Sequence, residues 1–374
     1  MTIQISSGFD GGNIIVENAD SASDIRLAIA KDNASDFYQW FHYRLTGGKG
    51  QDCRMTLTNA AGAAYSGGWD DYRAVASYDR EHWFRIDTTR YENGQIIIDH
   101  TPEQDSVYYA YFAPYSMERH ADLIADCLQY DGVSLRMLGH TLQGQTLDCL
   151  TIGEGPKNIW VIARQHPGET MAEWWMEGFL ARLLDEDDET AVALRRAATF
   201  HVIPNMNPDG ARHGNLRTNH SGANLNREWG VATLETSPEV LHTVAAMDAD
   251  KPDLVFDVHG DESLPYNFIA GAEGIPGHTE KQAKNLADFL TAYKKASPDF
   301  QTEVGYPKAA AGQGNMVLCT NFTAHRYDCL SRTLEMPFKD NANAPDAAQG
   351  WSPERCAQLG GAVVDALSDI EPQL

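Results

Sequence analysis

The sequence predicts an α/β chain in which a mixed-sheet domain is preceded by an antiparallel β-sandwich domain. Two observations carry this. Residues 1–115 hold short runs of β-branched and aromatic residues split by turn signals, with no long amphipathic helix. From residue 116 onward helical and strand patterns alternate, as they do when helices cover a mostly parallel or mixed sheet. At 374 residues the chain is longer than one core commonly supports, so two domains are expected, 1–115 and 116–374.

In the first part the strand-like runs are 13–17, 25–30, 38–46, 53–59, 82–87, 95–100 and 107–113. Gly47-Gly48, Gly67-Gly68 and Asn93-Gly94 separate them as turns. Trp40, Trp69 and Trp83 read as core rather than as stacking platforms for a ligand. A helix is expected between 114 and 131, then strands at 138–142, 146–151 and 158–163. The apolar spacing of Met171, Trp174, Trp175, Phe179 and Leu183 predicts a helix over 170–184. A short helix near 190–197, a strand at 200–203, a long polar loop and a helix at 237–249 follow. The order closes with a strand at 254–258, a helix at 281–295, a Gly/Ala-rich loop at 305–315, a strand at 333–337 and a helix near 353–368.

Composition excludes several classes. A net charge of −24 argues against nucleic acid or an anionic membrane as partner, because both need a basic face. No apolar run reaches the length of a membrane span. The start, Met-Thr-Ile-Gln-Ile-Ser-Ser-Gly, has neither the basic region nor the apolar core of a secretory signal. The six cysteines are scattered without a C-x-x-C pair and read as buried thiols of a reducing compartment. A cytoplasmic protein is the expectation.

Four stretches carry chemistry. In Arg164-Gln-His166-Pro-Gly-Glu169, a histidine and a glutamate sit where a buried strand ends and a helix begins, and side chains three positions apart there can converge on one ion. In Asp253-Leu-Val-Phe-Asp-Val-His259-Gly, a second apolar strand ends in histidine. His166, Glu169 and His259 make a His₂Glu set, which leaves a fourth position on zinc for water. In Thr333-Leu-Glu335-Met-Pro337, an acid lies in an apolar strand, where burial is costly unless it has a partner or a task. Near Zn²⁺ such a carboxylate can take a proton from bound water. The fourth stretch is the polar loop holding Asn207-Pro-Asp-Gly210, a turn by its chemistry, then Arg217 and Asn224-Leu-Asn226-Arg227. Its guanidinium groups suit a carboxylate or a developing oxyanion, although arginines in a solvated loop also pair with surface acids.

Taken together, His-Pro-Gly-Glu at 166–169, Asn-Pro-Asp-Gly at 207–210, Arg217 nine residues before Asn226-Arg227, His259 and Leu-Glu335-Met resemble the M14 zinc metallocarboxypeptidases. Gly12-Asn13-Ile14 and Tyr38-Gln-Trp-Phe41 extend the likeness to the cytosolic carboxypeptidase (tubulin-deglutamylase-like) subfamily, over essentially the whole chain. The resemblance implies a zinc carboxypeptidase fold (phosphorylase/hydrolase-like) for the second domain and one Zn²⁺ per chain on His166, Glu169 and His259. It implies Glu335 as general base, Arg217 on the scissile carbonyl, and Asn226 with Arg227 on the terminal carboxylate of a peptide or protein tail, glutamyl tails included. The family's mobile tyrosine is open between Tyr266, Tyr306 and Tyr327, and a basic group for an acidic side chain between Lys308, His325, Arg326 and Lys339. A zinc amidase or deacylase of small N-acyl amino acids would use the same motifs, and a non-enzymatic binding protein would not need them.

Overall fold

The computed structural model describes residues 2–374. Ten short strands form the N-terminal part: β1 (Gln4–Ser6), β2 (Ile15–Asn18), β3 (Ile25–Ala28), β4 (His42–Thr46), β5 (Cys53–Leu57), β6 (Val75–Ser77), β7 (Phe84–Arg85), β8 (Arg90–Glu92), β9 (Gln95–His100) and β10 (Ser106–Ala110). They make two five-stranded sheets, ordered β1-β4-β10-β6-β7 and β2-β3-β5-β9-β8. Pairing is antiparallel except between β3 and β5, which run parallel. Alternation turns Cys53, Met55 and Leu57 inward, opposite Ile96 and Ile98 of β9. Trp40 and Trp69 are core, as expected, whereas Trp83 is only partly buried at the core margin. The strands the periodicity does not reveal, β1, β6 and β8, have three residues each, too few for an alternation to register.

After α1 (Met117–Cys127) the chain builds a second sheet from β11 (Val133–His140), β12 (Thr146–Ile152), β13 (Lys157–Ala163), β14 (Ala198–Ile203), β15 (Leu254–Val258), β16 (Phe268–Gly271) and β17 (Leu330–Glu335). The order is β11-β12-β14-β13-β15-β17-β16. The central strands β14, β13, β15 and β17 are parallel, and the edges are antiparallel. Helices cover both faces: α2 (Met171–Leu183), α3 (Glu189–Ala197), α4 (Pro208–His213), α5 (Pro238–Ala249), α6 (Glu280–Ala296), α7 (Cys319–Tyr327) and α8 (Pro353–Ile370). Along β13, Ile159, Val161 and Ala163 pack into the cluster holding α2 and α8, while Trp160 and Ile162 join α5 and α7. Both faces of the strand are therefore apolar, which is why it reads as an unbroken hydrophobic run. Helices α2 and α8 cross closely because Gly178 and Gly360 face each other's helix backbone, where a Cβ would come within 2.0 Å of Ala357 O or Trp175 O.

Three local expectations are corrected. Asn207-Pro-Asp-Gly210 is the opening of α4 rather than a free turn, with Asn207 Oδ1 accepting the Gly210 N–H at 3.0 Å and Pro208 in the first helical turn. The strand expected at 138–142 is β11, which begins at Val133 and bulges between Met137 and His140. Helix α7 has no sequence counterpart, because its Cys-Thr-Asn-Phe-Thr-Ala-His-Arg-Tyr run lacks an apolar stripe.

The sandwich and the mixed sheet do not hold separate cores. One apolar cluster runs through both, and Tyr111 of the sandwich stacks on Phe338 with ring centroids 4.6 Å apart. Among the described residues no helix is long and apolar enough to cross a membrane.

Candidate active site

The chain runs from β13 to β14 on one side and later to β15 on the other, so the crevice at the carboxyl ends of these parallel strands is where open α/β sheets place a site. His166 follows β13, His259 follows β15 and Glu335 ends β17, three neighbouring strands of one sheet. The turn after β13 is forced into shape. Arg164 takes a left-handed backbone (φ 57°), and its buried guanidinium bonds Pro167 O at 2.9 Å, Tyr115 O at 2.8 Å and the Glu173 carboxylate. Gln165 is tied to Asp257 Oδ2 at 2.7 Å and accepts the Trp229 indole N–H at 2.9 Å.

His166, Glu169 and His259 are all buried, with their donor atoms within 4.8 Å of one another. His166 Nδ1 lies 2.7 Å and His259 Nδ1 2.8 Å from the two Glu169 oxygens, and the two Nδ1 atoms are 3.2 Å apart. Two nitrogen ligands on one tetrahedral ion at the usual zinc distance would sit about 3.4 Å apart. The donor set and its spacing therefore fit zinc. The other ring nitrogens meet oriented acceptors: His166 Nε2 faces Asn224 Oδ1 at 3.0 Å and His259 Nε2 faces Asp257 Oδ2 at 3.0 Å. Burial, helped by the charge of Arg217, pushes His166 down to about 4, which favours the neutral imidazole that a metal needs.

Glu335 is 7% exposed, and among the described residues its Oε2 has no hydrogen-bond partner. Burial, with Glu169, Asp261 and Glu262 nearby, drives its carboxyl well above the usual range against the pull of His259. An acid left in this state beside a cation site is poised to exchange a proton once positive charge arrives.

Arg217 lies in the loop after α4, close enough to Glu262, Glu169 and Glu335 for their charges to stabilise its own against burial. Among the described residues no protein acceptor engages its guanidinium, which sits over the rings of Tyr65 (5.2 Å) and Phe37 (5.8 Å). Asn226 Oδ1 accepts the Cys319 N–H at 2.8 Å, which turns Nδ2 toward His259, 3.5 Å away. Arg227 is exposed, and its guanidinium bonds the Asn226 carbonyl at 2.6 Å. The structure thus brings His166, Glu169, His259, Glu335, Arg217 and Asn226 to one crevice, with Arg227 bonded to the Asn226 carbonyl beside it.

Comparison with known proteins gives this crevice a lineage. Residues 128–341 match the model described as zinc carboxypeptidase, and residues 5–112 match the cytosolic carboxypeptidase N-terminal domain. The chain belongs to the M14 zinc carboxypeptidase family. It is similar to the metallo-carboxypeptidase from Burkholderia cenocepacia (51% identity, 98% of each chain, TM-score 0.94). It is also similar to the Pseudomonas aeruginosa metallo-carboxypeptidase in complex with (2-guanidinoethylmercapto)succinic acid (42% identity, 99% of each chain, TM-score 0.95). Mouse cytosolic carboxypeptidase 1 is 27% identical over 72% of this chain, which spans only 26% of that protein's length.

This carboxypeptidase also holds site residues that the sequence did not single out. Glu262, 5% exposed, is pushed up to about 8 by burial and by Glu169. Asp257 had a legible signal, since it lies two positions before His259 on the same strand face. Among the candidate tyrosines, Tyr306 lies beside the site, near Glu335 and Arg227. Its hydroxyl donates to Asp261 Oδ2 at 2.5 Å, and burial of that hydroxyl with the charges of Glu335 and Asp261 raises it, while 45% of the residue as a whole stays exposed. Tyr327 instead bonds Asp248 on the outer surface. Among the basic candidates, Lys308 pairs with Glu273, Arg326 with Asp248, His325 meets Pro276 O, and Lys339 donates to Asp70 O.

Proposed function

We propose that this zinc carboxypeptidase releases the C-terminal residue of peptides or protein tails, with His166, Glu169 and His259 holding one Zn²⁺ and Glu335 as general base. The observation that carries the reading is the convergence of three buried donors beside a carboxylate whose Oε2 has no partner. Zinc, when bound, acidifies a water and polarises the scissile carbonyl. Glu335 accepts the proton of the attacking water at Oε2 and returns it to the leaving amine. Arg217, with no protein acceptor of its own, donates to the carbonyl oxygen as it gains charge. Asn226 Nδ2 and Arg227 hold the substrate's terminal carboxylate, which sets the scissile bond one residue from the end.

The (2-guanidinoethylmercapto)succinic acid in complex with the Pseudomonas aeruginosa relative carries carboxylates of the kind these donors suit, and a guanidino group besides, which supports the carboxylate assignment. Glutamyl tails are the substrate that the subfamily resemblance favours. Residues 1–115 and 116–374 are taken as the sandwich and catalytic domains, and six buried free cysteines favour a reducing, cytoplasmic setting. The test is Glu335→Gln, which should fold and retain zinc yet lose about 10²–10⁴-fold in kcat. Full turnover by that variant would remove Glu335 from the role. Assaying the parent against peptides ending in glutamate, arginine or phenylalanine, and against N-acetyl amino acids, separates a carboxypeptidase from a deacylase.

A further inference from the structure

Three consecutive backbone N–H groups in the catalytic loop are capped by one side chain of the sandwich. Asp32 is 4% exposed and reaches across the domain boundary. Its carboxylate accepts from Leu216 N at 2.6 Å, Arg217 N at 2.8 Å and Thr218 N at 2.9 Å, with the Thr218 hydroxyl at 3.1 Å. These are short, charge-assisted bonds, and they centre on Arg217. Phe37 and Tyr65 of the same domain flank the Arg217 guanidinium from outside.

The surrounding contacts keep this clasp in register. Asn13 Nδ2 donates to Gly214 O at 2.8 Å, and Gly11 N donates to Arg212 O at 3.0 Å. At Gly222 (φ 85°) a Cβ would fall 2.4 Å from Ala34 O, and at Gly68 one would fall 2.5 Å from Glu262 O. Both sides of the crevice therefore touch sandwich backbone. On the inner side, Gly168 N donates to Leu216 O at 2.9 Å, joining the clasped loop to the turn that carries His166 and Glu169. Other hydrogen bonds between the two parts are scattered, such as Asp10 with Met117 N and Asp70 O with Lys339, whereas four bonds from one carboxylate and two rings meet at Arg217 and its immediate neighbours.

We propose that the N-terminal sandwich is a working part of the catalytic centre, with Asp32 and Tyr65 as positioning residues that fix Arg217 for the scissile carbonyl. The inference rests on the reading of Arg217 as the carbonyl-binding donor. Asp32 sets the backbone from which the side chain springs, and the Tyr65 ring limits where the guanidinium can swing. The bound peptide then meets a donor held in place before it arrives, which lowers the ordering needed in the transition state.

The test uses the full chain, zinc-loaded. Asp32→Ala should lower kcat by about 10–100-fold, with KM and zinc content close to the parent. In an Arg217→Ala background the same change should cost little more, because Asp32 acts through that arginine. Tyr65→Ala should lower kcat about tenfold and Tyr65→Phe should restore it, since the ring and not the hydroxyl does the holding. Independently of turnover, amide exchange at Leu216–Thr218 should accelerate in Asp32→Ala while the β13 amides stay protected. Unchanged kcat in folded Asp32→Ala, or a loss that multiplies in full onto Arg217→Ala, overturns the inference. If Asp32→Ala does not fold, the Tyr65 pair decides: equal rates for Ala and Phe overturn it. If Arg217→Ala itself keeps the parent kcat, the reading of Arg217 falls first and the inference with it.

Discussion

The proposed metal triad and the arginine loop share one crevice but are held by different means. His166, Glu169 and His259 stand at the ends of adjacent parallel strands, buried by the sheet and oriented by Asp257, Asn224 and Gln165 from the same domain. Arg217 stands in a loop that no strand pairing reaches. Asp32 and Tyr65 hold it from the sandwich on one side. On the other, Asn219 bonds Thr236 O at 2.8 Å and Glu239 Oε2 at 3.3 Å. The difference teaches that strand ends in register can bring candidate metal ligands together with support drawn from their own domain. A substrate-binding loop without regular structure needs partners brought in from elsewhere.

Substitutions that strike one region and spare the other can break or sharpen this contrast. Arg217→Lys keeps the charge but loses the planar fork, and should cost about 10²–10³-fold in kcat with zinc content unchanged. A loss of zinc in that variant would mean the two regions are not independent. Asp257→Asn works from the other side: it should weaken zinc about 10–100-fold, measured by chelator competition, while kcat at saturating zinc stays near the parent. Arg227→Ala removes an exposed donor and should raise KM roughly tenfold with a smaller change in kcat, consistent with one charged hydrogen bond.

The smallest effect concerns the loop's inner support. Burial pushes Glu239 from an ordinary 4.5 up to about 7, opposed by its hydrogen bond from Asn219. A carboxyl raised on folding favours the native state below pH 4.5, and that contribution is lost as pH climbs through 7. Glu239→Gln should therefore match the parent near pH 4 and be more stable at pH 8, by up to roughly 3 kcal/mol in denaturant titrations. Equal stability at pH 8 would show that Glu239 is ionised at no cost, and that the loop's inner support is wetter than its 0% exposure implies.

Much of the catalytic region was legible because its signals are local and periodic. Ile159 to Ala163 is apolar on both faces and Leu254 to Val258 is apolar except for Asp257, so each predicts a buried parallel strand, and the residues that follow land at one edge of the sheet. The sandwich was legible through its longer strands, and β1, β6 and β8 escaped by being short. Asp32 and Tyr65 left no trace. An aspartate in a polar loop and a tyrosine before a glycine pair look like ordinary turn residues, and neither lies near its target in sequence. Tyr306 could not be ranked above Tyr266 or Tyr327 until the 305–315 loop was seen to bring it to Asp261.

By itself, then, the sequence determined the α/β frame and marked out His166, Glu169 and His259 as candidate metal ligands and Glu335 as candidate base. Strand periodicity and strand-end position are written in nearest neighbours, and parallel pairing converts them into a shared edge. Only the tertiary structure decided what holds Arg217. Asp32 meets Leu216 across 184 positions of chain, a contact that depends on two domains sharing one core rather than on any local pattern.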